Sequence, residues 1–124
     1  MLTGCTKNGG VQPTSIGGDA RLAAQLAGFM PGQPVSCAAN AYTRLPPIAY
    51  GRTLLYRDTR GTILRNDTTG GCESAGHGDV ATLDQLRDRP CQGDILHTAD
   101  PISRRPTGSC TLGDFVPYTR APKR

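Results

Sequence analysis

Helical periodicity is confined to one segment near the start of the chain. Leu22, Leu26 and Phe29 recur at i, i+4 and i+7, which places their side chains on one face of a helix. Asp19 is a suitable N-cap, and the Pro-Gly pair that follows Met30 would end the helix. The pattern therefore predicts one N-terminal helix of about three turns, whose apolar face packs against the protein core.

Beyond residue 34 the pattern changes to short β-prone runs separated by Gly, Pro and polar residues. Two runs, 53–57 and 62–65, flank an Asp-Thr-Arg-Gly connection that is typical of a hairpin. Other predicted strands are 35–37, 94–98, 109–112 and 115–118. The remaining segments are predicted as a polar turn at 66–71, loops at 73–79 and 100–109, and a short helical turn at 80–87. The expected fold class is mostly β (α+β), with a small antiparallel sheet and one N-terminal helix.

Composition agrees with short elements and a modest core. Of the 124 residues, 16 are Gly and 10 are Pro, no Trp is present, and apolar residues make up 36%. These values predict many turns and one small domain rather than long helices. We expect a flexible tether at 1–17, a single domain at 18–119 and a basic tail at 120–124.

The five cysteines predict a covalent framework. None forms a Cys-x-x-Cys pair and no His lies at zinc-ligand spacing, so neither a metal site nor a thioredoxin-like site is expected. An even set of four follows Cys5, which predicts two disulfides among Cys37, Cys72, Cys91 and Cys110. Four cysteines allow three pairings. We predict Cys37–Cys72 and Cys91–Cys110, because each pair would then bracket one hairpin-sized unit.

The fifth cysteine, Cys5, ends the run Leu2-Thr3-Gly4-Cys5, which resembles the lipobox of bacterial lipoproteins. In that motif the cysteine receives diacylglycerol, so the resemblance implies a lipid anchor and a location in the periplasm or at the outer membrane. A lipoprotein signal also places a charged and an apolar region before the lipobox, and only Met1 precedes Leu2 here. Either the printed chain begins inside its signal peptide, or the match is accidental and Cys5 is an isolated thiol.

Candidate chemistry is sparse. His77 and Asp79 in a Gly-rich loop could bind metal or transfer protons, but an ordinary polar loop is the favoured interpretation, as a solvated strand face is for His97. Asp94 and Asp114 each follow Gly and could form a hydrolytic carboxylate pair, although turn chemistry explains them more simply. No nucleophile elbow, phosphate loop or zinc-protease motif occurs. We predict no catalytic, cofactor-binding or metal-binding residue.

Net charge is +4, and it is spread along the chain apart from the basic tail formed by Arg120, Lys123 and Arg124. Such a charge could favour anionic partners such as phospholipid or lipopolysaccharide, but an ordinary solvated surface is the favoured interpretation. Nucleic acid is not a predicted partner, because the sequence has neither a basic helical stripe nor an aromatic stacking platform.

Four segments together resemble proteobacterial envelope proteins of unknown function, many of which carry lipoprotein signals. The segments are Gly32–Cys37, Thr53–Tyr56, Cys91–Ile95 and Gly108–Tyr118, and the resemblance covers roughly residues 19 to 118. It implies an exported protein with cysteines set in strands. It implies no functional residue.

Three functions are therefore considered. The first is a non-catalytic accessory or binding module that packs against another envelope protein. The second is an inhibitor of a periplasmic or foreign hydrolase, which would act through the loops 73–79 and 100–109. The third is a small hydrolase that uses Asp94 or Asp114 together with a histidine.

Overall fold

Eight strands, an α-helix and a 3₁₀ helix form the part of the chain that the computed structural model describes, residues 16–39, 42, 45–84 and 87–122. The α-helix, α1, spans Ile16–Leu26, and the 3₁₀ helix spans Glu73–His77. The strands are β1 Phe29–Pro31, β2 Ile48–Tyr50, β3 Thr53–Arg57, β4 Ile63–Asp67, β5 Val80–Asp84, β6 Ile95–Ala99, β7 Pro106–Thr111 and β8 Phe115–Arg120.

The strands form two antiparallel sheets that enclose the core. The larger has the order β1-β8-β4-β3-β2 and the smaller the order β5-β6-β7. Leu54, Leu64 and Phe115 from the larger sheet share one buried cluster with Leu96 and Cys110 from the smaller. Two sheets with one helix and two disulfides confirm the predicted mostly β class.

Helix α1 lies on the opposite face of the larger sheet. Arg57 donates a hydrogen bond to Gln25, and the Arg21 guanidinium lies 5.9 Å from the centre of the Tyr50 ring. Arg57 and Tyr50 share the face of β3 and β2 that points away from the core cluster, because side chains alternate along each strand. The larger sheet therefore lies between α1 and the smaller sheet.

The predicted hairpin at 53–65 is confirmed as β3 and β4. One carboxylate oxygen of Asp58 accepts hydrogen bonds from the backbone N–H groups of Arg60 and Thr62, both at 2.9 Å. Gly61 has a φ of 92°, a left-handed conformation that Gly adopts without strain. The Asp and Gly that signalled the turn in the sequence are the residues that build it.

The predicted C-terminal end of the helix is wrong. Helix α1 ends at Leu26, whereas Phe29 and Met30 belong to β1 and pair with β8. Gly28, with a φ of 82°, separates the two elements. Phe29 fits the helical repeat, but it gains strand pairing and contact with the Arg120 guanidinium, 4.7 Å from its ring centre. The predicted start is also wrong, because the helix begins at Ile16 and Asp19 lies within it rather than at its N-cap.

The helical turn predicted at 80–87 is also wrong, because residues 80–84 form strand β5. Leu83 pairs with Leu96 on β6 and packs against the core, so tertiary pairing outweighs the weak local helical pattern. The 73–79 segment contains the 3₁₀ helix, and β7 begins at Pro106 rather than at 109. Asn66 and Asp67, predicted in a turn, complete β4.

The predicted cysteine pairing is wrong, although all four cysteines form disulfides. The bonds are Cys37–Cys91 and Cys72–Cys110. Cys37 and Cys91 face each other in an isolated antiparallel bridge, and Cys110 lies in β7. Each bond thus joins segments that are distant along the chain and does not close a single hairpin.

Cys5 and most of the predicted tether lie outside the described residues, as do residues 123 and 124 of the tail. Within the described ranges, no helix is long and apolar enough to span a membrane.

Candidate docking surface

The smaller sheet presents one face to solvent, which we call the outer face. Val80, Thr82 and Asp84 on β5 lie opposite Ala99, His97 and Ile95 on β6, and these side chains point away from the core. Val80 is 51% exposed and Ile95 is 43% exposed. Val80 and Ile95 lie at opposite ends of the face and form no contiguous apolar patch, so a docking surface is indicated by the edge of β5 rather than by this face alone.

A histidine–carboxylate pair lies between these apolar residues. His97 Nε2 is 2.9 Å from an Asp84 carboxylate oxygen, and the Asp84 side chain is 67% exposed. Exposed pairs of this kind contribute little to stability. Because its side chain is mostly exposed, Asp84 remains accessible to a cationic group from a partner.

Four strands lie at sheet edges, and three of these edges are blunted. Strand β1 contains Pro31 and has three residues. Strand β2 also has three residues and is covered by the 3₁₀ helix, where Gly76 approaches the Ala49 carbonyl. Strand β7 is lined by Thr69, which forms two hydrogen bonds with the Thr111 backbone. Proline, short length and covering segments are the usual protections of sheet edges.

Strand β5 has none of these protections among the described residues. It has five residues without Pro, and β6 is its one neighbour in the sheet. Its β-branched Val80 and Thr82 favour strand conformation. An exposed edge strand without Pro is a template for pairing with another strand.

The ladder pattern identifies the backbone groups that face this open edge. The Leu112 N–H donates to the backbone carbonyl of Asp94, whereas the N–H and C=O groups of Thr111 point away from β6 and bond to Thr69. Ile95 lies opposite Thr111, so these two residues form a non-hydrogen-bonded pair. Because hydrogen-bonded and non-hydrogen-bonded pairs alternate along an antiparallel ladder, the backbone groups of Ile95, and those of every second residue after it, bond to β5. Residues 80, 82 and 84 therefore bond to β6, and Ala81 and Leu83 direct their N–H and C=O groups outward.

The β6–β7 turn, residues 100–105, is a second exposed feature. Ile102 at its tip is 91% exposed. The Asp100 carboxylate accepts hydrogen bonds from the backbone N–H groups of Ser103 and Ile102, both at 2.8 Å, which hold the pKa of Asp100 below its usual value. Arg104 has a φ of 65°, and no other non-glycine residue in the described ranges has a positive φ. The turn is therefore a preformed loop that bears an exposed apolar residue.

A groove of about 270 Å³ lies on the α1 side of the larger sheet, and Arg65, Asp67, Asp114 and Tyr118 contribute to its lining. Arg65 Nε and Asp67 Oδ1 are 2.9 Å apart, and Thr53 donates to the same oxygen at 2.8 Å. Partial burial raises the pKa of Asp67, but the hydrogen bonds from Arg65 and Thr53 outweigh it, so the net pKa is lowered. The groove thus holds an oriented ion pair with Asp114 beside it.

The carboxylates considered for catalysis lie in different settings. Asp94 is buried, and its carboxylate accepts a hydrogen bond from the Cys91 N–H at 2.8 Å. Gly93 before it has a φ of 91°, so the Gly-Asp pair here builds a turn. Asp114 is exposed and lines the groove, and no described histidine lines that groove. His77 is exposed at the end of the 3₁₀ helix.

No group of three or more His, Cys, Asp or Glu side chains in the described residues could hold a metal ion.

Sequence reasoning missed the edge formed by Ala81 and Leu83, and it missed Asp84. The β-branched Val80 and Thr82 were a usable signal for a strand, but they could not show that the strand lies at an edge. No family model matches the chain, and comparisons with curated proteins and with solved structures also find no match.

Proposed function

We propose that this chain is a non-catalytic binding module of the bacterial cell envelope, which takes an extended segment of another envelope protein onto the open edge of β5. The open edge itself carries the proposal. Ala81 and Leu83 offer backbone donors and acceptors to an added strand, and Val80 offers an exposed apolar side chain beside them. Strand addition of this kind is a common mode of peptide recognition.

The proposed compartment rests on the cysteines. Two disulfides within one small domain are typical of proteins that fold in an oxidising compartment, such as the bacterial periplasm. The resemblance of Leu2-Thr3-Gly4-Cys5 to a lipobox supports a lipid anchor on Cys5. An anchored module would meet its partner at the membrane surface.

The edge can be tested by Ala81→Pro, which removes one outward N–H. Edge strands accept Pro where the N–H faces solvent, so the fold should persist. We expect the wild-type protein to co-purify a stoichiometric partner from solubilised membranes, and the Ala81→Pro protein to recover it at least about ten-fold less. The matched control, Ala81→Ser, keeps the N–H and should retain the partner. Absence of a stoichiometric wild-type partner, or equal recovery by a folded Ala81→Pro protein, would refute the proposal.

The anchor gives a separate prediction. Expressed behind a complete lipoprotein signal, the wild-type protein should fractionate with membranes, because Cys5 then carries the lipid. Changing Cys5 to Ser should move the folded protein to the soluble periplasmic fraction. Cell fractionation checks this outcome, with thermal unfolding as the folding control. A soluble wild type, or a Cys5→Ser protein that stays in the membrane pellet, would contradict lipid anchoring and leave the strand-binding proposal untouched.

Inhibition of a hydrolase is a second candidate function, favoured by the β6–β7 turn. A preformed loop with an exposed apolar tip loses little conformational entropy when it inserts into a pocket. Ile102 supplies the tip, Asp100 fixes the turn, and Arg104 holds a backbone conformation that costs energy in a non-glycine residue.

If this candidate is correct, the protein should inhibit at least one enzyme in a panel of lysozymes and of proteases that accept apolar side chains. Ile102→Asp should weaken inhibition by about ten-fold or more, because it places a charge in an apolar pocket. The control is Val80→Asp, which adds the same charge on the outer face and should leave inhibition unchanged. Lack of inhibition across the panel, or insensitivity to Ile102→Asp, would eliminate this candidate.

A further inference from the structure

We infer that the segment accepted by β5 runs antiparallel to it, with Lys or Arg opposite Asp84 and an apolar residue opposite Val80. This inference rests on the proposed function, since it specifies the partner that the edge takes. It follows from the order of side chains along β5 and from the direction of its free backbone groups.

Charge complementarity fixes one end of the segment. The Asp84 side chain points to the outer face and is 67% exposed, so a side chain directly opposite on an added strand would approach it closely. Residues opposite Val80, Thr82 and Asp84 would form non-hydrogen-bonded pairs, in which side chains lie closest. Opposite charges in such a cross-strand pair are stabilising and like charges are destabilising.

Apolar contacts fix the other positions. Val80, at the other end of β5, is 51% exposed and would gain burial against an apolar neighbour. Leu83 and Ala81 point to the inner face of β5, toward the core. Leu83 packs against the core, but the smaller Ala81 is exposed. The core is therefore open beside Ala81, and a larger apolar residue on the added strand would extend it.

Antiparallel addition continues the pattern of the smaller sheet, whose described strand pairs are all antiparallel. Antiparallel pairing is also slightly more stable per residue than parallel pairing. In this direction the basic residue comes first, and the residue facing Val80 comes four positions later. Lys-Val-Thr-Ile-Val is a segment that meets every requirement, with Ile placed opposite Ala81.

A second copy of this chain fits the edge less well. Antiparallel pairing of two β5 strands about Thr82 would place each Asp84 opposite a Val80 of the other copy, so neither carboxylate would meet a cationic side chain from that copy. The charge on the edge thus favours a different protein with a basic residue at this position.

The test uses the oxidised full-length chain and fluorescently labelled peptides that contain this segment between Gly-Ser flanks. One control peptide has Glu in place of Lys, and another has the same five residues in reversed order. Binding is measured by fluorescence anisotropy for the wild type, Ala81→Pro and Asp84→Lys. Sedimentation of the protein alone reports self-association.

We expect the wild type to bind the Lys peptide about ten-fold more tightly than the Glu peptide, and more tightly than the reversed peptide. Asp84→Lys should invert the charge preference, and Ala81→Pro should weaken all binding by ten-fold or more.

Equal affinity for the Lys and Glu peptides, with Ala81→Pro still disruptive, would overturn the charge assignment alone. Equal affinity for the reversed peptide would overturn the direction. A stable dimer lost in Ala81→Pro would overturn the choice of partner. Failure of the wild type to bind any peptide, or binding indifferent to Ala81→Pro, would overturn the proposed function as well.

Discussion

Replacing Cys37 and Cys91 together with Ala is expected to lower the free energy of unfolding by about 4 kcal/mol. The disulfide joins residues 54 positions apart, and closing a loop of that length restricts the unfolded chain by about this amount. Domains of this size have a net stability of about 5–15 kcal/mol, so the change would remove a large part of it. Urea denaturation of the wild type and the double variant measures the loss.

Peptide mapping under non-reducing conditions provides the matching check. It should yield fragments joined through Cys37–Cys91 and Cys72–Cys110. The Cys72→Ala, Cys110→Ala double variant serves as comparison, because its bond spans 38 positions and should cost slightly less. Fragments joined through Cys37–Cys72 would refute the pairing, and a loss below about 1 kcal/mol for Cys37–Cys91 would refute its stabilising role.

The sequence predicted those parts of the fold that depend on neighbouring residues. The β3–β4 hairpin follows from a turn in which Asp58 bonds two N–H groups and Gly61 takes a left-handed conformation, and both residues are visible in the sequence. The presence of two disulfides follows from the count of cysteines. Their pairing does not, because Cys37 meets Cys91 only when two distant segments form a bridge.

The candidate docking surface depends on sheet order, which local patterns do not contain. Strand β5 comes first in the order β5-β6-β7, so β6 is its one neighbour among the described strands, and no property of residues 80–84 alone specifies that position. The same applies to Asp94 and Asp114, which look equivalent in sequence because each follows Gly. One is buried in a turn and the other lines a groove, since different strands surround them.

Asn66→Ala is expected to destabilise the protein by about 3 kcal/mol. Asn66 is 0% exposed; its side-chain amide donates to the Gly113 carbonyl at 2.7 Å, and its oxygen accepts from the Gly113 N–H at 2.9 Å. Removing the amide leaves the N–H and C=O groups of Gly113, which are partly buried, without these partners, at up to about 1–3 kcal/mol each. Urea denaturation should show this loss, and a change below about 1 kcal/mol would mean that water or a backbone shift satisfies Gly113.

Asn66→Asp separates the two hydrogen bonds by pH. An ionised carboxylate can still accept from the Gly113 N–H, but it faces the Gly113 carbonyl without a donor, and burial of its charge is costly. Burial should raise the folded-state pKa of this carboxyl above the ordinary Asp value of about 3.9. A protonated carboxyl has one donor and one acceptor, so it can replace both bonds of the amide.

The stability of Asn66→Asp relative to the wild type should therefore be best retained at pH below 4, and it should fall as the pH rises through the raised pKa. Unfolding measured for both proteins at several pH values between 3 and 8 tests this, and parallel curves for variant and wild type would show that the carboxyl is not buried against Gly113.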